Sequence, residues 1–79
     1  MQSIPLTNLP KNHTGLIVRI FAGRRAVQRL TSLGLTPGTR VTKLSAAPFQ
    51  GPVQLAVRNT RLVIGWGLAR KILVSELST

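Results

Sequence analysis

The sequence predicts a mainly β fold, a small barrel with one helix inserted near its start. Two observations carry that expectation. Short apolar runs rich in β-branched residues recur along the chain between turn signals, while a single stretch, 24–34, switches to helical spacing. A third sets the size: 79 residues, 43% of them hydrophobic, suffice for one compact domain spanning 1–79. With no cysteine, neither disulfides nor a zinc–thiolate knot supplements that core.

Residues 15–21, "GLIVRIF", read as the first strand, with Leu16, Val18 and Ile20 sharing its inner face. Ala22 and Gly23 break the pattern. From Arg24 the spacing is helical, and Ala26, Val27, Leu30 and Leu33 form one apolar stripe. So short a helix does not persist alone and depends on packing. Its end is well marked. Gly34 suits the left-handed C′ position, Leu35 can fold back on Leu30, and Pro37 forbids continuation. Pro37 and Gly38 then turn the chain sharply.

Four further strands come after it, at 40–45 ("RVTKLS"), 53–57 ("VQLAV"), 61–64 ("RLVI") and 72–77 ("ILVSEL"). In the second of these Val53, Leu55 and Val57 point inward and Gln54 and Ala56 outward. Asn59 and Thr60 suit a tight hairpin, "AAPFQGP" is a proline-bounded loop, and "GWGLARK" is a helical turn entered through glycines. Five short strands leave too little sheet for a sandwich, and closing them into a ring removes exposed edges. The expected architecture is therefore a small SH3-like five-stranded barrel. One helix is inserted after its first strand and a short helical turn precedes its last.

The charge balance is the first functional clue. Eleven Lys and Arg face one acid, Glu76, for a formal net charge of +10. Self-repulsion on that scale weakens a compact state, and solubility needs far less asymmetry. An anionic partner is implied: a nucleic acid, an anionic membrane surface or an acidic protein face. No segment approaches the ~20 apolar residues of a membrane span. The start of the chain, "MQSIPLTNLPKNHTG", lacks the basic and apolar regions of a signal peptide, so a cytoplasmic location is expected.

Catalytic devices are excluded largely by subtraction. With no Asp, no Cys, one His and one Glu, the chain lacks a nucleophilic triad and a carboxylate pair. No phosphate-binding Gly-x-x-x-x-Gly-Lys frame is present either. A metal centre meets the same obstacle. Only His13 and Glu76 have suitable donors, and they lie at opposite ends of the chain. No cofactor and no metal site is expected, although sharing His13 across a symmetric oligomer is conceivable.

Binding features remain. Arg25 and Arg29 stand at i and i+4 on the helix side away from its stripe, beside Arg24 and Gln28. Like charges at that spacing cost a few tenths of a kcal/mol, and cations near a helix start oppose its dipole. The pattern hints at an anion contact; a solvated basic face is the plainer alternative. Trp66, between two glycines, is either a partner anchor or, more ordinarily, a buried plug at the barrel end. Phe49, between Pro48 and Gln50 in a loop, is the better candidate for an exposed contact. The three aromatics do not line one strand face as stacking modules require, so any affinity for nucleic acid is expected to be non-specific and salt-sensitive.

Three stretches, "QRLTSLGLTPGTRV" (28–41), "APFQGPVQLAVRNTRLVI" (47–64) and "LARKILV" (68–74), give the chain a clear likeness. It resembles the FeoA family, small cytoplasmic proteins of ferrous-iron uptake. The resemblance implies an SH3-like barrel that meets the cytoplasmic side of a large membrane iron transporter whose soluble part is a GTPase. By the same comparison Arg29, Leu30, Leu33, Gly34, Pro37 and Gly38 match the family's helix-and-turn motif, and Pro48 and Pro52 its loop. Leu30 and Leu33 are then expected in the core, and Arg29 nearest a contact role. The chain departs from the family at Gly51, where an acid is frequent, and at "GWG" (65–67), where charges are frequent. The same fold also closes metal-dependent repressors. A basic regulatory or nucleic-acid-binding module is accordingly the alternative.

Overall fold

The computed structural model describes residues 2–77. Along the chain run β1 (Ser3–Pro5), a 3-10 turn (Leu6–Asn8), β2 (Thr14–Ile20) and α1 (Arg24–Ser32). Next come β3 (Arg40–Ala46), β4 (Val53–Val57), β5 (Thr60–Ile64), α2 (Trp66–Ala69) and β6 (Ile72–Glu76). The strands form one antiparallel sheet in the order β1-β6-β2-β3-β4-β5. The expected mainly β architecture is present, with the helix after the strand at 14–20 and a helical turn before the last strand. Two details differ. A sixth strand, β1, pairs with β6, and no hydrogen bonds join β1 to β5 to close a ring.

The extra strand comes from the N-terminal segment that sequence patterning leaves without structure. Ser3, Ile4 and Pro5 lie opposite Ser75, Val74 and Leu73. The 3-10 turn then drops Leu6 and Leu9 into the core, both without solvent exposure. Three strand residues ending in proline are too few to show a period, and proline is tolerated at a sheet edge.

In β2 the inward residue is Ile17, while Val18 is 39% exposed and Leu16 only half-buried. Of the expected inner set of Leu16, Val18 and Ile20, only Ile20 packs against the core. The strand begins in the opposite phase, with Gly15 and Ile17 inward, and a register shift against β6 between Ile17 and Arg19 then returns Ile20 to the inner side. Gly15 lies within this strand, as read. A Cβ there would stand 2.9 Å from Cβ of Val74 on β6, so only glycine permits the approach.

Helix α1 ends as its residues dictate. Gly34 takes φ +87°, its N–H donates to Thr31 O at 2.9 Å, and Leu35 N–H donates to Leu30 O at 2.8 Å. This is a Schellman arrangement, with Leu35 and Leu30 both fully buried. Leu33, expected in the core, is 38% exposed instead. It caps the helix after Ser32, and Leu35, folded back, takes the inner place. Gly38, at φ +93°, completes the turn, whose Thr39 N–H donates to Thr36 O at 3.1 Å.

Strand β4 alternates as read, with Val53, Leu55 and Val57 buried. The hairpin after it turns at Arg58 and Asn59, both left-handed at φ 50° and 64°, one residue ahead of the expected Asn59–Thr60. Thr60, β-branched, is instead paired with Val57. Strand β3 buries Lys43, whose Nζ donates to Thr7 O at 2.8 Å. Its stem fills space under the N-terminal turn, and burial pushes its pKa below the ordinary 10.5.

Replacing Gly34 by Ala meets no steric contact, so the left-handed φ alone should cost about 1–2 kcal/mol, read from urea unfolding. For Lys43 the unfolded chain binds the proton more tightly than the folded one, so stability rises with pH toward 10.5 and the effect is absent well below the folded pKa. The stability difference between wild type and Lys43→Met should therefore shift in favour of wild type as pH approaches 10.5.

Candidate functional site

Helix α1 presents its arginines to solvent. Arg24 and Arg25 occupy the first turn behind an N-cap glycine that supplies no side-chain hydrogen bond, and no acid offsets them there. Arg29 lies in the last turn, not near the start as expected, and there the helix dipole favours a cation. It edges a groove of about 250 Å³ with Leu33, Val63, Ile64, Gly65 and Leu68, formed between α1, the end of β5 and α2. Leu33 is thus a groove residue, while Leu30 is core, as expected. Val63, 63% exposed, belongs to the same surface. No sequence signal singled it out, because an apolar residue on a strand's outer face looks like any other member of an apolar run.

The proline-bounded loop is closed by Ala47 N–H to Pro52 O at 2.9 Å, with Gly51 N–H to Pro48 O at 3.2 Å inside it. Phe49 and Gln50 at its tip are both left-handed, φ 59° and 60°, and Phe49 is 99% exposed. Such backbone costs on the order of 1 kcal/mol or more per residue and holds the ring clear of the sheet. Gly51 leaves no room for a side chain in this loop: a Cβ would stand 2.6 Å from Cβ of Ala47.

Trp66, opening α2, is half-buried, with the Arg70 guanidinium 5.6 Å from its ring centre. It is not the fully buried plug of the plainer expectation. The fully buried residue of α2 is Ala69. Phe21 is about half exposed, with Arg19 stacked on it at 4.7 Å. The three aromatics thus sit on three separate segments and do not share one stacking face.

His13 and Glu76 are not apart, as their sequence distance suggests. His13 Nδ1 pairs with Glu76 Oε2, because the start of β2 lies beside the end of β6, where Gly15 faces Glu76. Both side chains are roughly half exposed, and such surface pairs contribute about 0–1 kcal/mol. The pair is two donors, short of the three or four of a structural or catalytic zinc site. Among the described residues no group of three His, Cys, Asp or Glu stands together, and no helix is long and apolar enough to cross a membrane. The surface that remains is suited to contact: cations, exposed apolar side chains and a shallow groove.

Comparison with known proteins agrees with that shape. The FeoA domain matches residues 4–76. A protein of Methanocaldococcus jannaschii named Fe(2+) transport protein A is 32% identical over 72 residues, 91% of this chain and 85% of that one. The crystal structure of an iron uptake regulatory protein, FeoA, superposes with a TM-score of 0.86 at 35% identity, covering 98% of this chain and all of the other. The fold alone is shared with a manganese-dependent transcriptional repressor: TM-score 0.89, 23% identity, 98% of this chain but 42% of the repressor. A match running from β1 to β6, together with a relative a third identical over nine-tenths of the sequence, places this chain in the FeoA family.

Proposed function

We propose that this protein is a non-catalytic adaptor of ferrous-iron uptake. It docks at the cytoplasmic face on a membrane iron transporter whose soluble part is a GTPase, and modulates it. Family membership supplies the setting. The observation that carries the docking mode is the charge. The only acidic side chain, Glu76, already pairs with His13, so eleven cations have no other carboxylate side chain in the chain to neutralise them. Neutralisation from outside, by an acidic protein face, removes the self-repulsion and speeds encounter. An anionic leaflet near that partner adds on the order of 1 kcal/mol per cation at the surface and concentrates the protein there.

A second reading, a basic nucleic-acid-binding or metal-regulator module, has one supporting observation, the fold shared with a manganese-dependent repressor. It accounts less well for Phe49, a fully exposed ring on a loop that does not belong to a stacking face.

Pull-down with the transporter's soluble domain at physiological salt should retain the protein. Charge reversal of Arg24, Arg25 and Arg29 to Glu should weaken retention about tenfold and leave the unfolding midpoint nearly unchanged, because all three are exposed. Absence of binding with both proteins folded overturns the reading. Sequence-selective duplex DNA binding that survives the same salt favours the regulator instead. Phe49→Ala should alter stability by less than about 0.5 kcal/mol while weakening the complex severalfold.

A further inference from the structure

Strand β5 ends the sheet, hydrogen-bonded to β4 alone. Its two-residue turn makes Val57 and Thr60 the first hydrogen-bonded pair, and the pairs alternate from there without interruption. Thr60, Leu62 and Ile64 therefore turn their N–H and C=O groups toward β4, and Arg61 and Val63 turn theirs outward. Proteins blunt such edges with prolines, bulges, covering elements or charge. Here Arg61 is the one guard. It repels another copy of this +10 chain but welcomes a negative strand.

Beside the open edge lies the groove of Arg29, Leu33, Val63 and Leu68. Its volume of about 250 Å³ falls below that of pockets for drug-sized ligands, about 300 Å³ and upward, and suits a side chain rather than a small molecule. Arg29 stands one helical turn from Leu33, and Arg25 one turn further along the same face.

We infer that the β5 edge and this groove receive an extended acidic segment of a partner protein, which adds to the sheet as a further strand. Main-chain groups of Arg61 and Val63 bond the segment. An apolar side chain enters the groove against Leu33 and Leu68, and a carboxylate meets Arg29. Alternating apolar and acidic residues would face the groove and the flanking cations by the two-residue period of a strand. The inference rests on the docking reading above and names the chemistry of the segment that docks.

The test uses the intact protein and a short, end-capped peptide of alternating glutamate and valine, with lysine–valine and glutamate–serine peptides as controls. Fluorescence anisotropy should show the glutamate–valine peptide binding at least about tenfold tighter than either control. Amide exchange at Arg61 and Val63 should slow about tenfold on binding, because those N–H groups acquire partners. Val63→Pro deletes an outward N–H, and Arg29→Glu, exposed and outside the sheet, covers the case in which the proline variant does not fold. Each should cost about tenfold in peptide affinity. Absence of binding, equal binding of the glutamate–serine peptide, or binding without slowed exchange at Arg61 and Val63 overturns the inference. Unaltered binding of the transporter's soluble domain to both variants also overturns it and leaves the docking reading standing. Peptide capture at the edge with no affinity for that domain does the reverse.

Discussion

The last strand lies between the first two, and most of the molecule depends on that insertion. β6 bonds β1 on one side and β2 on the other, joining the two ends of the chain across its middle. The approach is close enough that Gly15 admits no side chain against Val74. Everything at that end depends on it. Leu6 and Leu9 are held over the core because β1 is held by β6, Lys43 finds the carbonyl of Thr7 there, and His13 meets Glu76. A buried lysine is tolerable only because its stem is apolar and its ammonium has an acceptor.

The same topology leaves β5 without an outer neighbour. A sheet of six strands that does not bond β1 to β5 has two edges, and these are unlike. β1 is three residues long and ends in proline, whereas β5 is five residues long, regular and flanked by a groove. Short strands and prolines are how edges are kept inert, so β1 is protected and β5 is not.

Charge gives the surface its selectivity. A single carboxylate side chain, spent on His13, leaves the arginines of α1 and Arg61 of β5 facing solvent, and Arg19 and Arg70 against aromatic rings. Phe49 and Val63 lie exposed on that background, with Leu33 partly so. Apolar contact of this kind adds affinity that salt does not screen, while the cations set which partners approach.

Features governed by near neighbours along the chain were legible in the sequence alone. The Schellman stop at Gly34 and Leu35, the turn at Pro37–Gly38, the alternation of Val53, Leu55 and Val57, and the exposure of Phe49 each depend on local backbone preference or on a strand period. Charge and the poverty of reactive side chains were equally plain, as sums over residue types. The effects of distant partners could not be read in this way. Pairing with β6 set Gly15 and Ile17 inward and shifted phase at a bulge after Ile17, the helix end moved Leu33 from core to groove, β6 recruited an N-terminal strand too short to show a period, and His13 met Glu76. Periodicity reports which residues prefer burial, but the choice among them belongs to strands tens of residues away, which only the folded chain brings together.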